Sequence, residues 1–269
     1  MTNAELDEII FLLKREYGYD FSNYSAASFK RRVARVMSLN HIASFYDLKY
    51  AVTNDKKFVA HFIQEITVNV TEMFRDPLFY KKLNDKVLPT LASYPSIKIW
   101  HAGCSTGEEV YSLAILLHEM DLLQRARIYA TDINTLALEK ARKGIIDVRL
   151  VKEYTQNYIK AGGNSDFSSY YTARYDNAII RRDLRERVVF SQHNLVADGA
   201  FNEFQLICCR NVLIYFNRIL QNRVVQLFYN SLSPLGYLAL GIKESLLFTG
   251  MQQKFEAADS LAKIFRRLD

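Results

Sequence analysis

The stretch IWHAGCSTGEEVYSLAILL, residues 99–117, decides the fold of this 269-residue chain. An apolar run enters a turn of small residues, and two carboxylates, Glu108 and Glu109, open a second apolar run. That order reads as a buried strand, a tight turn and a helix. Gly103 and Gly107 let the backbone turn sharply and approach a ligand closely. The loop is not G-x-G-x-x-G and carries no Walker lysine, which disfavours a dinucleotide or a triphosphate. The acid pair argues further against phosphate, because like charges repel.

Working outward, the same unit recurs. Strands are expected at 97–102, 128–131, 188–191, 204–209 and 236–240, helices at 109–117, 136–143 and 221–232, and a last edge strand at 262–266. Short apolar strands alternating with helices imply βαβ units, hence an α/β domain with a mostly parallel sheet and an antiparallel edge strand. That domain is expected over 97–269. Residues 144–187 are too long and too polar for a simple crossover, with AGGNSDFSSYYTARYDNAIIRRDLRER at their centre. They read as an inserted small antiparallel β-subdomain, 145–187.

Upstream, residues 1–75 read as a small all-helical domain. Leu6, Ile9, Ile10 and Leu13 make one helical stripe, and Gly18 ends that helix. Phe29, Val33, Val36 and Met37 make a second stripe, whose other face shows Lys30, Arg31, Arg32 and Arg35. Ser44 and Asn54 are the expected N-caps of two further helices. A linker helix is expected from Pro77 to Leu91, within 76–96.

The totals narrow the class. With 49% hydrophobic residues the chain can bury a sizeable core, which speaks against disorder. No apolar run approaches the roughly 18 residues of a membrane span. Glu5, Asp7 and Glu8 are wrong for a signal peptide. Cys104, Cys208 and Cys209 lack the spacing of a disulfide framework or a zinc site, so a reducing, cytoplasmic setting without metal is expected. A net charge of +6 suggests an anionic partner.

Ligands of open α/β sheets bind at the carboxyl ends of the strands. There stand Gly103 to Glu109, then Asp132, then Asn194 and Leu195, then Arg210, Asn211 and Tyr215. A carboxylate at Asp132 can accept both hydroxyls of a ribose. Asn194 can meet an adenine edge, with Leu195 beside the ring. An adenosine without phosphates fits this set. A second polar segment, TVNVTEMFRDP at 67–77, offers Asn69, Thr71 and Arg75 to the same crevice.

At these residues the chain resembles a known family. NVTEMFRD, WHAGCSTGEEVYSLA, ATDIN, NL, CRNVLIYF, LGYLALG and ES, in this order, are similar to the CheR-type chemotaxis receptor methyltransferases. The resemblance covers nearly the whole chain. It implies a Rossmann-like class I methyltransferase domain that takes S-adenosylmethionine and no metal. It implies methyl transfer to glutamate side chains in the cytoplasmic coiled coil of chemoreceptors, with S-adenosylhomocysteine as product. The family's cofactor contacts fall on Asn69, Thr71, Arg75, Glu108, Glu109, Asp132, Asn194, Leu195, Arg210 and Asn211, with Gly103 in the turn. Arg75 and Tyr215 match positions that face the reacting group. His101, Val110 and Met73 depart from the family's usual residues. The insertion matches a subdomain that grips a receptor C-terminal pentapeptide in some members, but its turn at 175–177 is short, which speaks against such a tether.

The chemistry asks little of a base. A free glutamate has a pKa of about 4.3 and is already ionised at neutral pH. A cation and an anion become neutral products, so a dry site helps once it has bound both. The main task is positioning, for which well-oriented pairs supply about 7–11 kcal/mol. Arg75 is expected to orient the incoming carboxylate or to hold the cofactor's own carboxylate, Tyr215 to bond the target's second oxygen, and Glu108 or Glu109 to hold the cofactor's amino group. The basic row Lys30, Arg31, Arg32 and Arg35 is expected to meet an acidic substrate helix, with Arg181, Arg182, Arg185 and Arg187 as a second basic cluster. Nucleic acid is not expected as a partner, because CRNVLIYF stands where a base-amine clamp would be. Membrane insertion is not expected either.

Overall fold

The computed structural model describes residues 1–67, 71–174, 176–247 and 249–269. The chain opens with helix α1 (Asn3–Tyr17). The Thr2 hydroxyl accepts from the Glu5 N–H at 3.2 Å, and the Glu5 carboxylate accepts from the Thr2 N–H at 2.5 Å, a reciprocal cap. Gly18, left-handed at φ 76°, ends the helix. Helices α2 (Ala26–Leu39), α3 (Phe45–Asn54) and α4 (Lys56–Ile66) close around Leu13, Phe29, Val33 and Phe62. Ser44 caps α3 together with Asp47. Asn54 does not cap α4, being the last residue of α3. Asp55, in extended backbone, takes that place and accepts from the N–H groups of Lys57 and Phe58 at 2.8 and 3.0 Å.

The expected linker helix is two pieces, α5 (Pro77–Lys86) and α6 (Leu88–Leu91). Pro89 has no N–H to bond the carbonyl four residues back, so the helix breaks there. Then come β1 (Ile97–Ala102), α7 (Glu108–Glu119), β2 (Ala126–Asp132) and α8 (Thr135–Lys143). The insertion holds β3 (Ile145–Asp147), α9 (Val151–Lys160), β4 (Tyr171–Arg174), β5 (Asn177–Ile180) and α10 (Arg182–Arg185). The chain ends with β6 (Val188–Gln192), β7 (Phe204–Cys209), α11 (Arg218–Ser231), β8 (Leu232–Leu240), β9 (Phe255–Asp259) and β10 (Ile264–Arg267).

The main sheet runs β6-β2-β1-β7-β8-β10-β9, with β6 to β8 parallel and β10 antiparallel to both its neighbours. This is the Rossmann-like class I methyltransferase arrangement. The expected edge strand at 262–266 is β10, which is interior. The edge is β9, whose Phe255 and Asp259 alone are buried, so its sequence shows no apolar alternation. Alternation along β1 sends Ile97 and Ile99 to the core shared with α7, and Trp100 and Ala102 to the core shared with α11. Trp100 is fully buried, and its indole N–H donates to the Thr131 hydroxyl at 2.8 Å. Strand β1 pairs with β2 on one side and β7 on the other, so chain order reverses between β1 and β7 and a crevice opens at their carboxyl ends.

The helical unit is fastened over that crevice. The Ser25 N–H donates to the Tyr215 carbonyl at 2.8 Å, and the Asn217 N–H to the Asn23 carbonyl at 2.9 Å. Between them Tyr24 meets Phe216 edge to face at 5.0 Å. Elsewhere Asn134 Nδ2 donates to Thr67 Oγ1 at 2.9 Å.

The insertion forms a separate antiparallel sheet, β3-β5-β4. Glu119, at the end of α7, anchors it by accepting from the Tyr170 hydroxyl at 2.8 Å, the Asn164 N–H at 3.1 Å and the Tyr158 hydroxyl. Its arginines do not form the expected free cluster. Arg181 pairs with Asp183, Arg182 with Glu186, Arg185 donates to the Ile180 carbonyl and Arg187 to Gln124. Tyr175, in the turn expected to be short, lies outside the described residues. Among the described residues no helix is long and apolar enough to cross a membrane.

Candidate active site

A cleft, partly open to solvent, lies at the carboxyl ends of β1, β2, β6 and β7. Tyr24, Arg32 and Thr67 of the helical unit line it from the other side. The fold brings Thr71, Arg75, Gly103, Glu109, Asp132, Asn194, Leu195, Arg210, Asn211 and Tyr215 together there, as read from the sequence. Glu108 does not line the cleft; its carboxylate accepts from the Thr106 hydroxyl at 2.6 Å. Asn69 lies outside the described residues. Lys30, Arg31 and Arg35 stay on the outer face of α2, but Arg32 does not belong to that row. It is 7% exposed and lines the cleft. Its position follows from helical spacing, since Arg32 lies between Phe29 and Val36 on the stripe that faces the core.

The turn after β1 is fixed by its neighbours. Gly103 sits at φ 79°, and a Cβ there would come within 2.5 Å of Val212 Cγ2, so only glycine fits. The N–H groups of Gly103 and Cys104 both donate to the Thr131 carbonyl, at 2.8 and 2.9 Å. Ser105 turns left-handed at φ 51° and donates its N–H to Asp132 Oδ2 at 2.8 Å. The Asn134 N–H donates to Oδ1 at 2.9 Å. These bonds fix the Asp132 carboxylate and leave it acceptor capacity for a ligand hydroxyl. Burial pushes this carboxyl above its ordinary value, while the backbone N–H groups of Asn134, Ser105 and Ile133 pull the other way.

Glu109 behaves in the opposite sense. Burial pushes its carboxyl up, but the Arg210 guanidinium and His101 outweigh that and hold it below the ordinary value. Arg210 Nη1 donates to Glu109 Oε2 at 2.7 Å, and His101 Nδ1 lies 3.2 Å from Oε1. Arg210 Nη2 reaches Asp76 at 2.8 Å and the Arg75 carbonyl at 3.3 Å, and the guanidinium lies over the Phe79 ring at 4.0 Å. Arg210 therefore clamps the 71–76 segment to the sheet while keeping Glu109 ionised. Asp76 pairs with Arg210.

The other walls come from the loops after β6 and β7. Asn194 Oδ1 accepts from the Val196 N–H at 2.9 Å, which leaves its amide N–H groups as the part able to meet a ring nitrogen. Asn211 is left-handed at φ 61°. Arg32 Nη1 donates to the Ile66 carbonyl at 2.6 Å, and its guanidinium lies 4.1 Å over the Tyr215 ring. The helical unit thus sets the position of Tyr215.

Sequence reasoning missed Tyr24, which lines the cleft, touches Phe216 192 residues downstream and carries no local signal. It also passed over His193, and it gave no role to Ser105 or Glu244, which stood only within the quoted stretches. Ser105 Oγ, His193 Nδ1 and Arg210 Nε, in the walls of this cleft, are buried polar atoms without a partner among the described residues. Such orphans are what a polar ligand would satisfy. The walls carry anions at Asp132 and Glu109 and close backbone approach at Gly103, so a phosphate-free, positively charged adenosine fits them.

Comparison with known proteins agrees. Residues 69–264 match the family "CheR methyltransferase, SAM binding domain", and residues 4–67 match "CheR methyltransferase, all-alpha domain". Cher3 of Pseudomonas putida, named as a methyltransferase by assignment rather than demonstration, is 46% identical over 266 residues, 99% of this chain and 97% of that one. A "Chemotaxis protein methyltransferase" of Listeria innocua is 30% identical over 249 residues, 91% of this chain and 92% of that one. An uncharacterized 104.1 kDa protein of Rhodobacter capsulatus is 29% identical over 273 residues, 98% of this chain but only 27% of its own length. Matched across both its helical and its α/β parts, the chain belongs to the CheR methyltransferase family and is an S-adenosylmethionine-dependent enzyme.

Proposed function

We propose that this enzyme methylates glutamate side chains of chemoreceptors, giving methyl esters and S-adenosylhomocysteine and so adapting chemotaxis signalling on the cytoplasmic side. The observation that carries this reading is the union, in one cleft, of the anionic walls Asp132 and Glu109 with the donors Arg75 and Tyr215. When bound, S-adenosylmethionine supplies a methyl group on a positively charged sulfur. Asp132 accepts the ribose hydroxyls with the positions its backbone bonds leave open. Asn194 donates to the adenine edge, and Leu195 covers the ring. Glu109, kept ionised by Arg210, supplies negative charge for the cofactor's amino group, while Thr71 and Asn211 complete the polar wall.

Arg75 holds the incoming carboxylate in line with the methyl group, and the Tyr215 hydroxyl donates to the second oxygen. Arg32 fixes the Tyr215 ring from above. No proton needs to be removed from an ionised glutamate, so positioning and exclusion of water do the work. Lys30, Arg31 and Arg35 attract the acidic helix that delivers the target. Relatives named chemotaxis protein methyltransferases support this substrate class.

The test is transfer of labelled methyl from the cofactor to receptor-bearing membranes. The expected product is a base-labile ester on the receptor, lost in Arg75→Ala and Asp132→Ala. Undiminished labelling by both variants would place the site elsewhere.

A further inference from the structure

Glu244 does not line the cleft, yet it shapes a loop that does. The loops after β7 and β8 leave adjacent strand ends, because Cys209 pairs with Leu240. Glu244 stands in the second of them and is 4% exposed. Its carboxylate accepts from the N–H groups of Gly241, Asn211 and Ile214 at 2.6, 3.0 and 3.2 Å, so one side chain ties both loops. Space at the tie is tight, because a Cβ on Gly241 would come within 2.8 Å of both Asn211 N and Glu244 Oε2. Burial pushes the carboxyl above its ordinary value, while the backbone N–H groups of Gly241, Asn211, Ile214 and Leu213 pull it down. Only a carboxylate offers two oxygens that accept and never donate, which is what these convergent N–H groups require.

What hangs on this tie is one wall of the cleft. Asn211, Val212, Tyr215 and Phe216 all line it. Asn211, whose N–H is held by Glu244, is left-handed at φ 61°, a state that asparagine tolerates better than most residues. Val212 packs against the β1 turn where Gly103 lacks a Cβ. Leu213–Tyr215 form a short 3-10 turn, and its middle N–H, that of Ile214, is the other one held by Glu244 in this loop. The Tyr215 carbonyl then accepts from the Ser25 N–H of the helical unit. The loop is thus set by the β1 turn, by the helical unit and by one buried carboxylate that grips both its start and its middle.

We infer that Glu244 is a positioning residue for methyl transfer, which holds the 211–216 loop so that the Tyr215 hydroxyl meets the incoming carboxylate. The inference deepens the receptor-glutamate reading and rests on it.

The test compares the parent with Glu244→Gln, Tyr215→Phe and the double variant, all as the full chain. It measures steady-state methyl transfer to receptor-bearing membranes and calorimetric affinity for S-adenosylhomocysteine. Glu244→Gln keeps the size of the side chain but turns an amide N–H toward a backbone N–H, so the loop shifts. The expected result is a kcat lowered by about 10- to 100-fold. Affinity for S-adenosylhomocysteine should stay within about fivefold, because Asp132, Asn194 and Glu109 stand at other strand ends. Because Glu244 acts through Tyr215, the double variant should lie within about twofold of the slower single variant, where a merely structural loss would multiply. Glu244→Asp, which keeps the charge on a stem one methylene shorter, carries the same test if glutamine disturbs the fold. A parent-like kcat in a Glu244 variant that binds S-adenosylhomocysteine, a Tyr215→Phe as fast as the parent, or losses that multiply in the double variant would overturn the positioning role. So would loss of S-adenosylhomocysteine binding in both Glu244 variants, which would assign the residue to the fold as a whole. A parent that labels no receptor would instead remove the function reading, and the positioning role with it.

Discussion

Two arginine-rich runs look alike on paper, KRRVAR at residues 30–35 and RRDLRER at 181–187, and the fold treats them in opposite ways. The second contains its own counter-charges. Asp183 and Glu186 take up Arg181 and Arg182, and the remaining arginines donate to the Ile180 carbonyl and Gln124. The first has no acid inside it. Arg32 turns inward to Ile66 and Tyr215, while Lys30, Arg31 and Arg35 make no hydrogen bond or ion pair among the described residues. A run of positive charge becomes an attractive surface only when its own helix does not neutralise it.

Three variants can break this contrast, and the largest effect belongs to the inward residue. Arg32→Ala removes a buried charged hydrogen bond and the stack on Tyr215, so denaturant unfolding should show a loss of about 2–4 kcal/mol. Methyl transfer should fall by about 100-fold, because Tyr215 loses its support. Next comes Arg31→Glu with Arg35→Glu. Steady-state kinetics should show kcat/KM for receptor lowered by about tenfold at low salt. The defect should shrink at roughly 1 M salt, where the screening length is about 3 Å. The smallest effect belongs to the neutralised run. Arg182→Ala breaks an exposed pair with Glu186 and should leave transfer within about twofold of the parent. A large kinetic defect in Arg182→Ala beside a mute Arg31→Glu would reverse the assignment.

Much of this was legible in the chain, for physical reasons that differ by region. The β1 turn was readable because strand, glycines and helix are adjacent in sequence, and one interval of residues dictates the geometry. Asp132, Asn194 and Arg210 were readable because each ends an apolar strand, and parallel strands bring such ends to one edge. Arg32 was misplaced because its charge was weighed above its position between Phe29 and Val36. Edge strand β9 escaped because a strand covered on one side only by β10, with two buried residues, has no apolar pattern. Tyr24 and Glu244 act through contacts 192 and 33 residues away in sequence, Tyr24 meeting the Phe216 ring at 5.0 Å and Glu244 accepting from the Asn211 N–H at 3.0 Å. Nothing local announces either.

The two cleft carboxylates respond to acid with opposite signs. Glu109 is held below the ordinary 4.5, so the stability it contributes is complete above that value and is lost as pH falls through its lowered pKa. Asp132 is held above the ordinary 3.8, so its ionised form costs stability at neutral pH, and acid relieves that cost as pH falls through the raised pKa. Ligand affinity that depends on the Asp132 carboxylate should therefore fade on acidification before the Glu109 contribution is lost.

Calorimetric titration of S-adenosylhomocysteine into the parent and into Asp132→Asn tests the central claim most directly. The account predicts binding by the parent that weakens as pH falls, starting above the ordinary carboxylate value, and Asp132→Asn weaker by about 10- to 100-fold with a flat pH profile. Equal affinity in the two proteins, or no heat of binding in the parent, would contradict it.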